Sequence, residues 1–416
     1  MRRLSIVVAF ALIALAAAQE KESFLERLGG WVIREGWPFA PASPPVPQSG
    51  GAANAVNALG FKLLGKARGE AGQDNVVYSP LSISSAFALV YFGAEGSTKS
   101  QLESVFGFQE RSVPDQLINK AESFGEGSNG EVTIANRAYI ANEVQVKSSY
   151  TNAVRRNNLR SIDFSGNPEG SRQEINGFVG RVTRQLIPEV LPGDFVTSQT
   201  RFVVVNAVYF KGTWQETFPK ENTFTEKFRG ANGEQDVEFM AFSSPQKFNT
   251  RPLPSLESWI LELPYVGKRF SMFVILPNED DGWRNVESKL SGMNYADLFK
   301  YDEVSTSLVN LPKFSLEVEM KNLKQHVIEL GAPDVFSGAA DMSGITDSER
   351  LPLTDAVHVV KIRVDEEGTE AAAATALASS RTGYTGNEFI VDHPFLFFVV
   401  DKRDGAIFFQ GTVTSI

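Results

Sequence analysis

An arginine near the C-terminus is the side chain with the clearest potential for chemistry. Arg381 lies in the sequence Ser-Arg-Thr-Gly and is the only charged residue between Glu370 and Glu388. A guanidinium pairs bidentately with a carboxylate, and trypsin-like proteases present an aspartate in the pocket that receives the substrate side chain. The pattern therefore predicts an exposed, flexible segment that a trypsin-like protease can cleave.

The segment before this arginine consists almost entirely of small side chains. Residues 366–382 read EEGTEAAAATALASSRT, between two β-branched and aromatic runs at 357–364 and 389–400 that we predict to be buried strands. An ordinary surface helix is one interpretation, since residues 370–374 have high helix propensity. A mobile loop is favoured, because Gly368 provides a pivot and the alternate residues Thr369, Ala371, Ala373 and Thr375 could face inward in a strand.

Other catalytic or metal-binding patterns are weak. The three histidines, His326, His358 and His393, have no metal-ligand spacing, and no nucleophile motif of the form GxSxG occurs. Residues 125–130 match GxGxxG, but they are acidic and precede a predicted strand, so we interpret them as a turn. We expect no catalytic residues, no metal and no enzymatic activity.

One group of basic residues suggests a cofactor. Lys147, Arg155, Arg156 and Arg160 could cluster on one helix and bind a sulfated polysaccharide. A solvated helix face is the favoured interpretation of these charges.

Composition predicts a secreted, extracellular protein. Residues 1–18 have a basic start, an apolar run and a small-residue end, which is typical of a signal peptide. Losing its two arginines would take the net charge from −10 to −12, which disfavours nucleic acid as a partner. No further apolar run is long enough to span a membrane, and the chain has no cysteine for disulfides.

The chain is predicted to contain one large domain. Residues 19–51 form an N-terminal extension that ends in a linker rich in proline and glycine. Residues 52–416 form the domain, with a hinge and exposed loop at 366–388.

Six motifs resemble the serpin family in the family's order. They lie at 75–102, 202–224, 261–279, 311–319, 334–346 and 389–399, and FIVDHPFLFFV resembles the family signature. The resemblance covers residues 54–416. It implies an α+β fold with about nine helices around three β-sheets and an exposed reactive-centre loop near the C-terminus.

The resemblance also assigns three groups of residues. It implies a "shutter" beneath the main sheet, formed by Ser79, Ser82, Asn206 and His358. It implies a "breach", where the loop first enters the sheet, formed by Trp214, Lys313 and Glu366. The hinge that it implies comprises Glu366, Glu367, Gly368, Thr369, Glu370, Ala371, Ala372, Ala373 and Ala374.

The function implied is suicide inhibition of an extracellular trypsin-like serine protease in a covalent 1:1 complex, by a monomer. The scissile bond is expected at Arg381–Thr382, with Thr382–Gly383 and an elastase-like target as the alternative. A non-inhibitory serpin acting as carrier or chaperone remains a second alternative, although the small hinge residues favour an inhibitor.

Overall fold

The computed structural model describes residues 50–125, 132–293, 295–299, 304–368 and 388–416. The predicted signal peptide, most of the N-terminal extension, the greater part of the GxGxxG match, hinge residues 369–374 and the bond at 381–383 lie outside the described residues. Among the described residues, no helix is long and apolar enough to cross a membrane.

The fold is of the α+β class, as expected. In the described residues the helices are α1 (Gly51–Ala71), α2 (Pro80–Tyr91), α3 (Gly96–Phe106), α4 (Ser112–Glu122), α5 (Ser148–Val154), α6 (Pro168–Val182), α7 (Trp283–Leu290), α8 (Tyr295–Leu298) and α9 (Leu323–Glu329). The strands are β1 (Val76–Tyr78), β2 (Val132–Ala141), β3 (Leu159–Ile162), β4 (Phe202–Phe210), β5 (Phe224–Gly230), β6 (Gly233–Leu253), β7 (Ser258–Pro264), β8 (Phe270–Pro277), β9 (Val304–Pro312), β10 (Phe314–Glu319), β11 (Asp355–Val364), β12 (Glu388–Ile390), β13 (Phe395–Asp401) and β14 (Ala406–Val413).

A five-stranded sheet carries the predicted loop. Its strand order is β10-β11-β4-β2-β3, and β11 lies parallel to β4 with Asp355 opposite Val203 and Ile362 opposite Phe210. Every residue of β4 is buried, which agrees with its continuous β-branched and aromatic sequence. The strand predicted at 357–364 is β11, and the chain leaves it directly into the hinge.

The other nine strands in the part of the chain that the structure describes form one hydrogen-bonded network. The resemblance implies two separate sheets here, but the 21-residue β6 belongs to both parts. It pairs with β5 before a register shift between Ser243 and Phe248 and with β9 on both sides of that shift, and its last residues pair with β7. Because such an irregularity bends a strand, one strand can take part in two differently directed sheets.

The predicted strand at 389–400 is interrupted. The structure has β12 and β13 there, separated by Val391, Asp392, His393 and Pro394. Pro394 has no N–H to donate to a neighbouring strand, so the ladder of hydrogen bonds stops before it. The expectation of one continuous strand was therefore wrong.

Helix α2 forms the centre of the core. All twelve of its residues are buried, and it packs against β2, β4 and β14. Its sequence begins with Pro80 at the first helical position and Ser79 as the N-cap, whose hydroxyl accepts the Ser82 N–H at 3.1 Å. This cap places the start of α2 directly under the five-stranded sheet.

Candidate functional site

His358 lies at the centre of a buried polar group between β11, β4 and α2. It is opposite Asn206 in the β11–β4 register and is fully buried. The backbone N–H of Ser79 donates to its Nε2 at 3.0 Å, and its Nδ1 contacts Asn206 Oδ1. Because a backbone N–H can only donate, Nε2 must be the acceptor, and the single proton of a neutral ring lies on Nδ1.

Asn206 connects this histidine to α2 and β2. Its amide donates to the Ser82 carbonyl at 2.9 Å and contacts the Ser82 hydroxyl and Asn136 Oδ1. Asn136, on β2, lies directly opposite Asn206 and donates to Ser85 Oγ at 2.6 Å. We call Ser79, Ser82, Asn136, Asn206 and His358 the shutter cluster.

The shutter cluster contains all four residues that the resemblance assigned, and one that it did not. Asn136 was missed, although an asparagine within the largely apolar run VTIANRAYIA was a sequence signal for a polar contact inside the fold. The structure brings these side chains together beneath the seam where β11 meets β4. Their role in keeping that seam closed stays a prediction.

Burial determines the charge state of His358. Desolvation lowers its pKa from 6.5 to about 3, because the imidazolium would lose hydration that the apolar surroundings do not replace. The ring is therefore neutral at physiological pH, in agreement with its two hydrogen bonds.

We expect acid to destabilise the closed sheet through this histidine. A depressed pKa in the folded state means that the contribution of His358 is present above about pH 6.5 and is lost as the pH falls toward about 3. At full protonation the loss is on the order of 5 kcal/mol. Urea unfolding of the wild type and His358→Gln between those pH values measures it, since only the wild type should show this extra loss. Parallel pH profiles would contradict the assignment.

The hinge is fastened to the segment that follows β4. Trp214 donates from its indole Nε1 to the Asp365 carbonyl at 2.9 Å and from its backbone N–H to the Glu367 carbonyl at 3.1 Å. The backbone N–H of Phe218 donates to the Glu366 carbonyl at 2.8 Å. The indole is itself fixed, because it stacks on Tyr265 with ring centroids 4.5 Å apart. These contacts hold the end of β11 against the end of β4.

Glu366 forms the ion pair expected at the breach. Its carboxylate lies 3.1 Å from Lys313 Nζ and accepts the Thr223 hydroxyl at 2.7 Å. Burial alone would raise the pKa of Glu366, but the hydrogen bonds from Thr223, the backbone and Lys313 outweigh it and lower the pKa. Lys313 also pairs with Glu238 at 3.2 Å. Thr223 and Glu238 are additional members that the sequence did not reveal.

A second carboxylate of the hinge is also paired. Glu367 is buried, and Lys220 Nζ lies 2.6 Å from its Oε1. The pKa of Lys220 is raised by that hydrogen bond. The first two acidic residues of the hinge, Glu366 and Glu367, are thus anchored to the segment between β4 and β5.

Gly368 is the point at which the chain turns away from β11. Its φ of +73° lies in the left-handed region, which favours glycine. A Cβ at this position would lie 2.1 Å from the Gly212 carbonyl oxygen and 2.6 Å from the Trp214 backbone nitrogen. No other residue could occupy this turn without displacing the backbone beside Trp214.

The four basic residues considered for polysaccharide binding do not share one helix. Lys147 precedes α5, Arg155 follows it, Arg156 lies in a 3-10 turn and Arg160 lies on β3. Three of them form ion pairs: Lys147 with Asp347, Arg155 with Glu122 and Arg160 with Glu174. Helix α5 ends at Val154 because Arg155 adopts a φ of +63°, so the expectation of one basic helix face was wrong.

Comparison with known proteins identifies the family. A profile described as Serpin (serine protease inhibitor) matches residues 54–416. This chain belongs to the serpin family. Human Serpin B3 is 35% identical over 373 residues, covering 82% of this chain and 94% of the relative. Leukocyte elastase inhibitor of Xenopus tropicalis is 34% identical over 381 residues, covering 87% and 98%. Uncleaved ovalbumin superposes with a TM-score of 0.77 at 28% identity, covering 88% of this chain and 100% of ovalbumin.

The family assignment corrects one expectation and supports another. Serpins are generally protease inhibitors rather than catalysts, and this serpin has protease inhibitors among its relatives. Relatives such as Serpin B3 and leukocyte elastase inhibitor are intracellular clade B serpins. The prediction of a secreted, extracellular protein, which was based on residues 1–18, is therefore wrong.

Proposed function

We propose that this serpin is a suicide inhibitor of a trypsin-like serine protease and forms a covalent 1:1 complex with it. The observation that carries the proposal is the position of the Gly368 turn, where β11 ends beside residues 212–218. Those residues follow β4, so the predicted loop starts at one end of the parallel β11–β4 seam.

The protease performs the chemical steps up to cleavage of the loop. The protease serine oxygen attacks the Arg381 carbonyl carbon, the peptide bond to Thr382 breaks, and the Thr382 nitrogen leaves as a free amine. An ester then joins Arg381 to the protease. Hydrolysis of that ester would release an active protease, so inhibition requires a step that is faster than hydrolysis.

Insertion of the freed loop supplies that step. A strand that turns back at Gly368 runs antiparallel to both β11 and β4, so one parallel pairing can become two antiparallel pairings. About ten inserted residues at about 1 kcal/mol each would contribute on the order of 10 kcal/mol. This is comparable to the stability of a typical domain, and it is sufficient to distort an attached protease.

Two features support an inhibitor over a carrier or chaperone. The hinge residues Thr369 and Ala371–Ala374 are small, so they could pass between strands without separating the core. The fixed start of the loop at Gly368 also gives insertion a defined beginning. We treat the shutter cluster and the breach contacts as the two closures that must open during insertion.

The scissile bond determines the class of target. Arg381–Thr382 fits a trypsin-like pocket, because a guanidinium pairs with its aspartate. Thr382–Gly383 would fit an elastase-like pocket. The name of one relative, leukocyte elastase inhibitor, indicates a leukocyte elastase as the kind of target for this alternative. Incubation with trypsin and, separately, with an elastase distinguishes them, with mass analysis of the released fragment and of any covalent complex. We expect a covalent complex with trypsin and a released fragment that begins at Thr382, whereas a covalent complex formed only with elastase and a fragment that begins at Gly383 would contradict the trypsin-like assignment.

A further inference from the structure

A cavity of about 540 Å³ opens to solvent between α1, α4 and the turn that joins β13 to β14. Its lining residues are distinct from the shutter cluster and from the breach contacts. Sites for small organic ligands usually have volumes of about 300–1,000 Å³. The cavity is therefore large enough for such a ligand, and its lining side chains indicate which kind.

Part of the lining is apolar. It comes from α1, the start of α2, α4 and the start of β14, and it comprises Ala52, Ala53, Val56, Leu81, Leu117 and Ala406. Ala52 is partly buried, and the other five are buried. Covering this surface would remove apolar area from water, which favours binding of a ligand with an apolar body.

The charged part of the lining is positive overall. Lys120, Arg269, Arg403 and Asp404 line the cavity. The buried carboxylate of Asp401 lies 3.3 Å from Lys120 Nζ, 3.0 Å from Arg269 Nη2 and 3.4 Å from Arg403 Nε. Three cations and two carboxylates leave one excess positive charge beside the apolar surface.

Both carboxylates already have partners. Burial raises the pKa of Asp401, but Lys120, Arg269 and the backbone N–H of Arg403 outweigh it and lower the pKa, so this group stays ionised. Asp404 accepts from Lys120 Nζ at 2.6 Å. A cationic ligand would therefore have to compete with these existing pairs.

The two arginines have donors to offer. The contacts with Asp401 use Nε and Nη2 of Arg269 and Nε of Arg403, whereas a guanidinium has five N–H donors. The guanidinium of Arg269 is also held in place, because it lies 4.8 Å from the ring centroids of both Phe124 and Phe270. A group that is already oriented loses little conformational freedom on binding an anion.

We propose that this cavity binds an amphipathic monocarboxylate. Its apolar body covers the surface formed by α1, α2 and α4, and its carboxylate pairs with Arg269 and Arg403. One negative charge neutralises the excess positive charge of the lining, and two carboxylate oxygens match the donor geometry of a guanidinium. The site uses no residue of the predicted loop, so it is independent of the proposed inhibitory function.

Titration calorimetry of the full chain with three ten-carbon probes tests the class of ligand. The probes are decanoate, uncharged 1-decanol and decylamine, whose amine is protonated at about pH 7 like that of lysine. We expect decanoate to bind on the order of tenfold more tightly than either of the others, because only decanoate gains charge-assisted hydrogen bonds. A decanoate affinity no higher than that of 1-decanol would overturn the proposal.

The charge is tested with Arg403→Ala. This side chain is 64% exposed, and its removal leaves two cations to pair with Asp401, so the fold should be retained. We expect the affinity for decanoate to fall on the order of tenfold and that for 1-decanol to stay unchanged. Arg350→Ala removes an exposed arginine before β11 and should bind decanoate as the wild type does. An unchanged decanoate affinity in Arg403→Ala would overturn the proposal.

The location is tested with Ala52→Trp. The indole enters the cavity from its partly buried edge, so binding of both decanoate and 1-decanol should be lost. Thermal unfolding followed by circular dichroism verifies that this variant is folded. Wild-type affinity for decanoate in the folded variant would place the ligand elsewhere and overturn the proposal.

Discussion

Cleavage of the loop is expected to raise the melting temperature by roughly 10–15 °C. Insertion is proposed to contribute on the order of 10 kcal/mol, and the entropy of unfolding near the midpoint is about 2 cal/mol/K per residue. The family match spans residues 54–416, so this free energy corresponds to a rise of roughly 13 °C. The intact protein should melt at a moderate temperature. Its five-stranded sheet contains the parallel pairing of β11 with β4, which the inserted strand would replace with two antiparallel pairings.

Scanning calorimetry of the intact and cleaved forms measures the difference. A metalloprotease that cuts within the loop is the suitable reagent, because it forms no acyl-enzyme and leaves the cleaved serpin alone. The control is cleaved Thr369→Arg, in which insertion is hindered and the gain should be small. Equal melting temperatures of intact and cleaved wild type would count against a strained native state.

Replacing Thr369 by arginine should convert the inhibitor into a substrate. On insertion, Thr369 is predicted to face inward with Ala371 and Ala373. Burying an unpaired guanidinium there costs several kcal/mol, and each 1.4 kcal/mol is about tenfold in rate. We expect insertion to slow by on the order of 100-fold, so that hydrolysis of the acyl-enzyme prevails and most of the serpin is cleaved without trapping protease.

The matched control places the same charge one residue later. Glu370→Arg puts a guanidinium on the opposite face of the inserted strand. The number of moles of this variant that are consumed per mole of protease inhibited should therefore stay near the wild-type value. The measured quantity is that ratio at completion with trypsin. If Thr369→Arg inhibited at the wild-type ratio, loop insertion would not be the trapping step.

Much of the site was predictable because its polar residues interrupt apolar strands. Asn206 is the polar position in the otherwise apolar β4, His358 lies among the valines of β11, and the structure places the two opposite each other. Asn136 obeys the same rule on β2 and could have been found in that way. The breach was predictable only in part, since Thr223 and Glu238 are ordinary surface-type residues until tertiary packing brings them to Glu366 and Lys313.

Errors arose where local sequence did not determine chain direction. The run at 389–400 contains β-branched and aromatic residues throughout, but Pro394 and the contacts of His393 divide it into β12 and β13. The basic residues 147–160 have spacing compatible with a helix, but α5 ends at Val154. Different parts of β6 pair with different strands. Those partner strands include β9, which is distant in sequence, so no local pattern predicts the pairing.

The most direct test of the central claim is intact mass measurement of this serpin mixed with an equimolar trypsin-like protease and then denatured. The account predicts a covalent species whose mass is the sum of the protease and the serpin less the C-terminal fragment beyond Arg381. It also predicts that this species resists boiling in detergent, because an ester joins the two chains. A mixture containing only free active protease and cleaved serpin, with no covalent species, would contradict it.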